Sequence, residues 1–150
     1  MSPVELELLP DVETLALTLY GESRGEPIEG QIAVGCVIRN RMEAKKSSYR
    51  DICFAFEQFS CWNAPTLNAP NPNYLPLITL GKEMIAKLAY TDDALKQCLW
   101  VAFGISNNSI RDNTNGSKNY LTTKLWYAGT VSWARDMKVS VVKGNQTFLV

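Results

Sequence analysis

Apolar residues recur along the first third of the chain with helical spacing. Val12, Leu15, Ala16 and Leu19 fall at i, i+3, i+4 and i+7, which predicts a helix from about Asp11 to Tyr20 with one face turned inward. Pro10 and Asp11 suit its start, and Gly21, followed by Gly25 and Pro27, marks its end. A second helix is expected from Pro27, whose fixed φ suits a first turn, with Glu29 at the favourable end of the dipole. It continues through GQIAVGCVIRNRM. There Ile32, Ala33, Val34, Cys36, Val37 and Ile38 are apolar around much of the circumference, the pattern of a buried central helix. From Arg39 to Lys46 the chain turns polar and leads to a short helix near Tyr49 to Phe56.

Between Gln58 and Pro76 four prolines and several asparagines surround QFSCWN, which predicts an ordered irregular loop. Helical spacing returns from Leu77 to Ala89, with Ile78, Ile85, Leu88 and Ala89 apolar. Thr91 is the candidate N-cap of the next helix, Asp92 to about Ile105, which packs Leu95, Leu99, Ala102 and Phe103. Ala94 leaves that capping box incomplete. SNNSIRDNTNGSKNY is turn-rich, and the chain then closes on an alternating pattern. Val139, Val141 and Lys143 precede Gly144-Asn145, and Thr147, Phe148 and Val150 follow, as in a hairpin. No repeat or linker interrupts the sequence. The expected architecture is therefore one domain over residues 1–150, α+β and predominantly helical, with a small β element near the C-terminus.

Charge and composition narrow the chemistry. Fifteen Lys+Arg balance fifteen Asp+Glu, so no global field draws in nucleic acid or an anionic membrane. Histidine is absent, which removes Ser-His-Asp and Cys-His nucleophile systems and any zinc site built on imidazole. Proton transfer near neutral pH would fall to a carboxyl, a tyrosine, a cysteine or a lysine. Cys36, Cys53, Cys61 and Cys98 form no Cys-x-x-Cys pair, which argues against a metal knuckle or a thioredoxin-like redox motif. No metal and no cofactor are expected. Cys36 and Cys98 lie in apolar helical patterns as small buried thiols; Cys53 and Cys61 are near enough in sequence to be bridged, with free thiols the expectation. The acidic start MSPVELELLPDVE lacks a cationic n-region followed by an apolar one, and no window reaches the roughly 18 apolar residues of a membrane span. Cytoplasmic synthesis and no membrane insertion are expected.

The most informative segment is Tyr20-Gly21-Glu22-Ser23-Arg24-Gly25-Glu26-Pro27. Glu22 lies three residues after Leu19 and seven after Leu15, so it continues the inward face of the first helix. Burial and the negative end of the helix dipole both disfavour an ionised carboxylate there and raise its pKa. A carboxylic acid that keeps its proton near neutral pH is what a general acid for glycosidic cleavage requires. The plainer alternative has Glu22 capping the turn or pairing with Arg24. Glu26 reads as a favourable charge at the start of the next helix. Tyr20, Phe59, Trp62, Tyr120, Trp126, Tyr127 and Trp133 sit in or beside loops, where they could stack on sugar rings or act as lids over the core.

LALTLYGESRGEPIEGQIAVGCVIRNRM resembles the signature of the spore-cortex-lytic cell-wall hydrolases, the SleB-like family. The resemblance extends to Gln58-Phe59-Ser60-Cys61-Trp62, to Asp112-Asn113-Thr114-Asn115-Gly116-Ser117, to Trp133 and to Gly144-Asn145. It implies a lysozyme-like fold and cleavage of the MurNAc–GlcNAc bond of peptidoglycan by a lytic transglycosylase giving 1,6-anhydro-muramyl products. It also implies that one glutamate acts as acid and then as base. The motif places that glutamate at Glu22 and draws attention to Ser23 beside it. Relatives carry histidines where this chain has Asn119 and Gln146, whose amides can still hydrogen-bond a sugar.

On this resemblance Tyr120 and Ser23 are expected to orient the reacting groups, with Gln58, Phe59, Trp62 and Asn113 along the substrate-binding wall. The expected partner is the peptidoglycan glycan strand and the expected state a monomer. A phage endolysin, reaching the wall through another factor or from the virion, is the expected setting. Two alternatives stay open. One is a hydrolysing muramidase with Asp112 or Glu26 as second carboxylate; the other is a non-catalytic wall-binding or virion structural domain.

Overall fold

A computed structural model describes residues 3–56 and 58–150. After a 3-10 turn at Val4–Leu6 come α1 (Asp11–Ser23), α2 (Ile28–Lys45) and α3 (Tyr49–Cys53). A second 3-10 turn at Ser60–Trp62 precedes α4 (Tyr74–Ile85) and α5 (Asp93–Ser106). The chain ends with β1 (Asn119–Thr122), α6 (Thr123–Ala128), a 3-10 turn at Ser132–Ala134, β2 (Val139–Lys143) and β3 (Gln146–Leu149). The helix-dominated α+β expectation holds. Among the described residues no helix is long and apolar enough to cross a membrane.

α1 packs against α2, α3, α4 and α5, and every residue from Thr14 to Leu19 is buried. The one-faced pattern of its apolar residues understated this, because threonines fill the remaining faces. Thr14 donates its hydroxyl to the Pro10 carbonyl at 3.1 Å and Thr18 to the Thr14 carbonyl at 2.8 Å. The Thr18 oxygen also accepts the Trp62 indole N–H at 3.0 Å. Hydroxyls satisfied in this way can enter a core.

α1 also runs to Ser23 rather than ending near Gly21. Gly21 is there for space. A Cβ at that position would stand 2.7 Å from Cys61 Cβ, 2.8 Å from Cys61 Sγ and 2.9 Å from Leu77 Cδ1. The glycine lets a neighbouring segment lie against the helix, and the backbone stays helical. α2 likewise carries its polar stretch as helix to Lys45, ending at Lys46 with φ 50°. α4 begins three residues before the expected Leu77, because Pro76 is tolerated in a first turn, and it stops at Ile85. The cap of α5 is Asp92, whose carboxylate accepts from the Leu95 N–H at 3.1 Å, in place of Thr91.

The expected hairpin is present, with Lys143 opposite Gln146 and a register shift between Val139 and Val141. Gly144 takes φ 57° in its turn, the left-handed conformation glycine adopts freely. The sequence did not signal β1 or α6. β1 pairs with β3, not with a neighbour in sequence, giving a three-stranded antiparallel sheet of order β1-β3-β2. All four β3 residues are buried, since both faces of the strand are covered. Phe148 joins the helical core, whereas Leu149 packs with Leu121 and Ala134 in a second cluster beside Trp126, Val131 and Met137.

Candidate active site

Three elements meet at the C-terminal end of α1. Glu22 lies half-buried in its last turn. The 3-10 turn Ser60–Trp62 brings the Cys61 backbone N–H and thiol to the Glu22 carboxylate. From β1, the Tyr120 hydroxyl donates to Glu22 Oε1 over 3.5 Å. Tyr120 is set there by pairing: it stands opposite Phe148 in the β1–β3 ladder, and the two rings pack 5.5 Å apart. Burial raises the Glu22 pKa above its ordinary 4.5, and the donors from Cys61 and Tyr120 only partly oppose that rise. Burial and the neighbouring Glu22 push the Tyr120 phenol well above 10, so it stays a donor. The arrangement is a carboxyl that favours its proton, faced by a phenol.

Arg24 does not pair with Glu22. It donates to the Tyr20 carbonyl at 3.0 Å and to Asn73 Oδ1 at 2.7 Å, with its guanidinium 4.8 Å from the Tyr20 ring centre. The other candidate carboxylates are engaged too. Asp112 Oδ1 accepts from the Thr114 N–H at 2.8 Å and the Thr114 hydroxyl at 2.6 Å. Its Oδ2 accepts from the Gly116 N–H at 2.9 Å and Asn40 Nδ2 at 3.0 Å. Partial burial raises the Asp112 pKa, but the four donors outweigh it and hold the group below its ordinary 3.8. Glu26 Oε2 accepts from the Asn145 N–H at 3.2 Å, tying the start of α2 to the β2–β3 turn.

The expected substrate-contacting residues divide. Ser23 is 2% exposed, and its hydroxyl donates to the Leu19 carbonyl at 2.9 Å, so its polar group serves the end of α1 instead of an open surface. Phe59 and Trp62, at 2% and 7% exposure, belong to the packed core more than to an exposed loop. Their buried position follows from partners: Phe54 meets Trp62 edge-on with centroids 4.9 Å apart, and the Arg41 guanidinium lies 5.4 Å from the Phe59 ring centre. Their edges still line a groove of about 530 Å³ with Phe54, Phe56, Asn63 and Tyr74. Gln58 is exposed. Asn113 donates to the Glu29 carbonyl at 3.1 Å, which leaves its buried Oδ1 without a partner among the described residues. Tyr127 and Trp133 are 82% and 54% exposed, so they remain outside the core.

The sequence profile of the Cell Wall Hydrolase family matches residues 25–149. The chain belongs to the cell wall hydrolase family. Its match opens just after Glu22, so the place of that residue in the site rests on the geometry above. A stretch of 34 residues is 53% identical to the spore cortex-lytic enzymes of Oceanobacillus iheyensis and of Bacillus subtilis. That stretch is 23% of this chain and 12% and 11% of those two proteins, so it spans about an eighth or less of their length. The catalytic domain of the germination-specific lytic transglycosylase SleB from Bacillus anthracis superposes with a TM-score of 0.59 at 21% identity, covering 93% of each chain. The fold of this cell wall hydrolase is therefore the lysozyme-like one expected.

Three groups in the candidate site were not assigned a role from sequence. Asn40 bonds both Asp112 and the Ser117 carbonyl, and so holds the turn that follows α5 against α2. Arg41 donates from Nε to the Lys118 carbonyl at 2.6 Å. Both stand in the N-R pair that closes the long signature block. Cys61 is the third; its signal is Gly21, whose missing side chain makes room for it.

Proposed function

We propose that this chain cleaves the MurNAc–GlcNAc linkage of peptidoglycan as a lytic transglycosylase, with Glu22 as its only acid–base group. The observation that carries this reading is the contrast among carboxylates. Glu22 is desolvated and favours its proton, whereas Asp112 and Glu26 are held by donors elsewhere.

A hydrolase acting through two carboxylates needs the second to activate water or to form a covalent intermediate. A transglycosylase needs only one. Glu22 protonates the glycosidic oxygen as the bond to the muramyl anomeric carbon breaks. The muramyl C6 hydroxyl then closes on that carbon, and the Glu22 carboxylate takes its proton. The product is a 1,6-anhydro sugar and Glu22 is restored to its acid form. While it is ionised, the Tyr120 hydroxyl and the two Cys61 donors stabilise its charge. Glycan strands are thus the proposed partner and a monomer the proposed working state. We place synthesis in the cytoplasm and access to the wall with a separate factor or a virion, as in a phage endolysin.

Mass spectrometry of digested murein tests the reaction. Anhydro-muramyl ends are expected; reducing muramyl ends would replace the transglycosylase with a hydrolysing muramidase. No cleavage by the folded wild-type protein would leave a wall-binding or structural domain.

A further inference from the structure

We propose that Cys61 is a positioning residue for Glu22, its thiol, wedged against Gly21, fixing the orientation of the carboxyl. The proposal rests on Glu22 being the acid of the reaction.

Cys61 is 2% exposed and is wedged against the α1 backbone at Gly21, the residue immediately before Glu22. Any side chain at position 21 would collide with it. Its turn is clamped from outside by one amide: Asn71 Nδ2 donates to the carbonyls of Ser60, Cys61 and Asn63 at 3.1, 3.0 and 2.8 Å. On the inner side the Trp62 indole anchors the same turn to Thr18, one helical turn before Glu22. Cys61 is therefore held in place, with its backbone N–H and thiol beside the Glu22 carboxylate.

The other titratable groups around Glu22 come from separate elements. Tyr120 reaches it from β1, and the Cys53 thiol of α3 is near enough to feel its charge. Arg41 of α2 acts on Tyr120 and Cys53. Burial pushes the Cys53 thiol up to about 12 and the Cys61 thiol further still, so both remain protonated throughout the range in which a carboxyl titrates. Cys61 is thus a permanent donor. A thiol is a weaker hydrogen-bond donor than a hydroxyl. At this position it orients the carboxyl at little cost to its proton affinity, which a general acid must keep.

Activity of Glu22 as an acid is lost as pH rises through its pKa, so the alkaline limb of the kcat profile reports this contact. Cys61→Ser supplies a stronger donor to the carboxylate, and the limb should move to lower pH, with kcat on its alkaline side falling about fivefold. Cys61→Ala removes the thiol and keeps the N–H. Its limb should move to higher pH while kcat on the plateau falls severalfold at constant KM. Limbs that coincide in wild type and both variants overturn the proposal.

Infrared spectroscopy of the wild-type protein gives a second reading that does not depend on the variants' folding. The S–H stretch of Cys61, identified by difference from the other three thiols, should move to lower frequency as Glu22 ionises and should ignore pH in Glu22→Gln. An S–H band unaffected by pH in wild type also overturns the proposal. If Glu22→Gln keeps its activity, the catalytic reading fails, and the infrared band still decides whether the thiol touches the carboxyl.

Discussion

The end of α1 and the Asp112 turn treat the same chemical group in opposite ways. At Asp112 four donors from Thr114, Gly116 and Asn40 surround a partly exposed carboxylate, and its ionised form stabilises the fold. At Glu22 the carboxyl is more deeply desolvated than its three donors compensate, two of them weak or long, and its ionised form costs stability. The first region is built to hold a turn against α2. The second favours its proton. On the proposed reading, stability and catalysis fall to different carboxylates, and substitutions should separate them.

The largest effect is expected at Glu22. Glu22→Gln should lower turbidity clearing of peptidoglycan by about 10³-fold, within the usual range for a general acid. It should also stabilise the protein at neutral pH. A folded-state pKa above the unfolded value means that stability is fully present below about 4.5 and is lost as pH rises through the folded pKa. Glutamine removes that loss, so thermal unfolding of wild type and variant should diverge between pH 5 and pH 8, with the variant the more stable. A less stable variant at pH 8 would break the comparison.

Asp112→Asn should act with the reverse sign. Its amide turns an N–H₂ toward groups that are themselves donors, a loss of roughly 2–4 kcal/mol by urea unfolding at pH 7. The contribution of Asp112 is present above pH 3.8 and disappears as pH falls through its lowered folded pKa, so the wild-type and variant curves should converge in acid. Unchanged stability at pH 7 would show that the turn does not depend on the charge.

Gly21→Ala sharpens the boundary between the two roles. The added methyl must displace Cys61 and Leu77, at roughly 1–3 kcal/mol, from which about 1 kcal/mol of helix propensity is recovered. Because the displaced neighbour is Cys61, cleavage rate should fall by more than the small loss of stability explains. The smallest effect is expected for Tyr120→Phe. Loss of one long hydrogen bond should lower kcat about tenfold and leave the melting temperature close to wild type.

Much of the helical body was legible because its apolar residues are local and periodic, and so was the inward placement of Glu22, which extends that period by one step. The exceptions have a common cause. Gly21 read as a helix end because sequence shows a missing side chain but not the Cys61 that fills the space. Phe59 and Trp62 read as open loop aromatics because their partners, Arg41 and Thr18, come from other elements. β1 escaped notice because four residues beside a turn-rich run acquire strand identity only from pairing with β3. That pairing is also what brings Tyr120 to Glu22, so this half of the site could not be seen from local pattern alone.

The most direct measurement is the titration of the two carboxyl carbons by NMR in protein labelled with carbon-13. The account predicts that Glu22 titrates above 4.5 and Asp112 below 3.8 in the same sample. Glu22 titrating at or below 4.5 would contradict it, because the carboxyl would then hold no surplus affinity for the proton it is said to deliver.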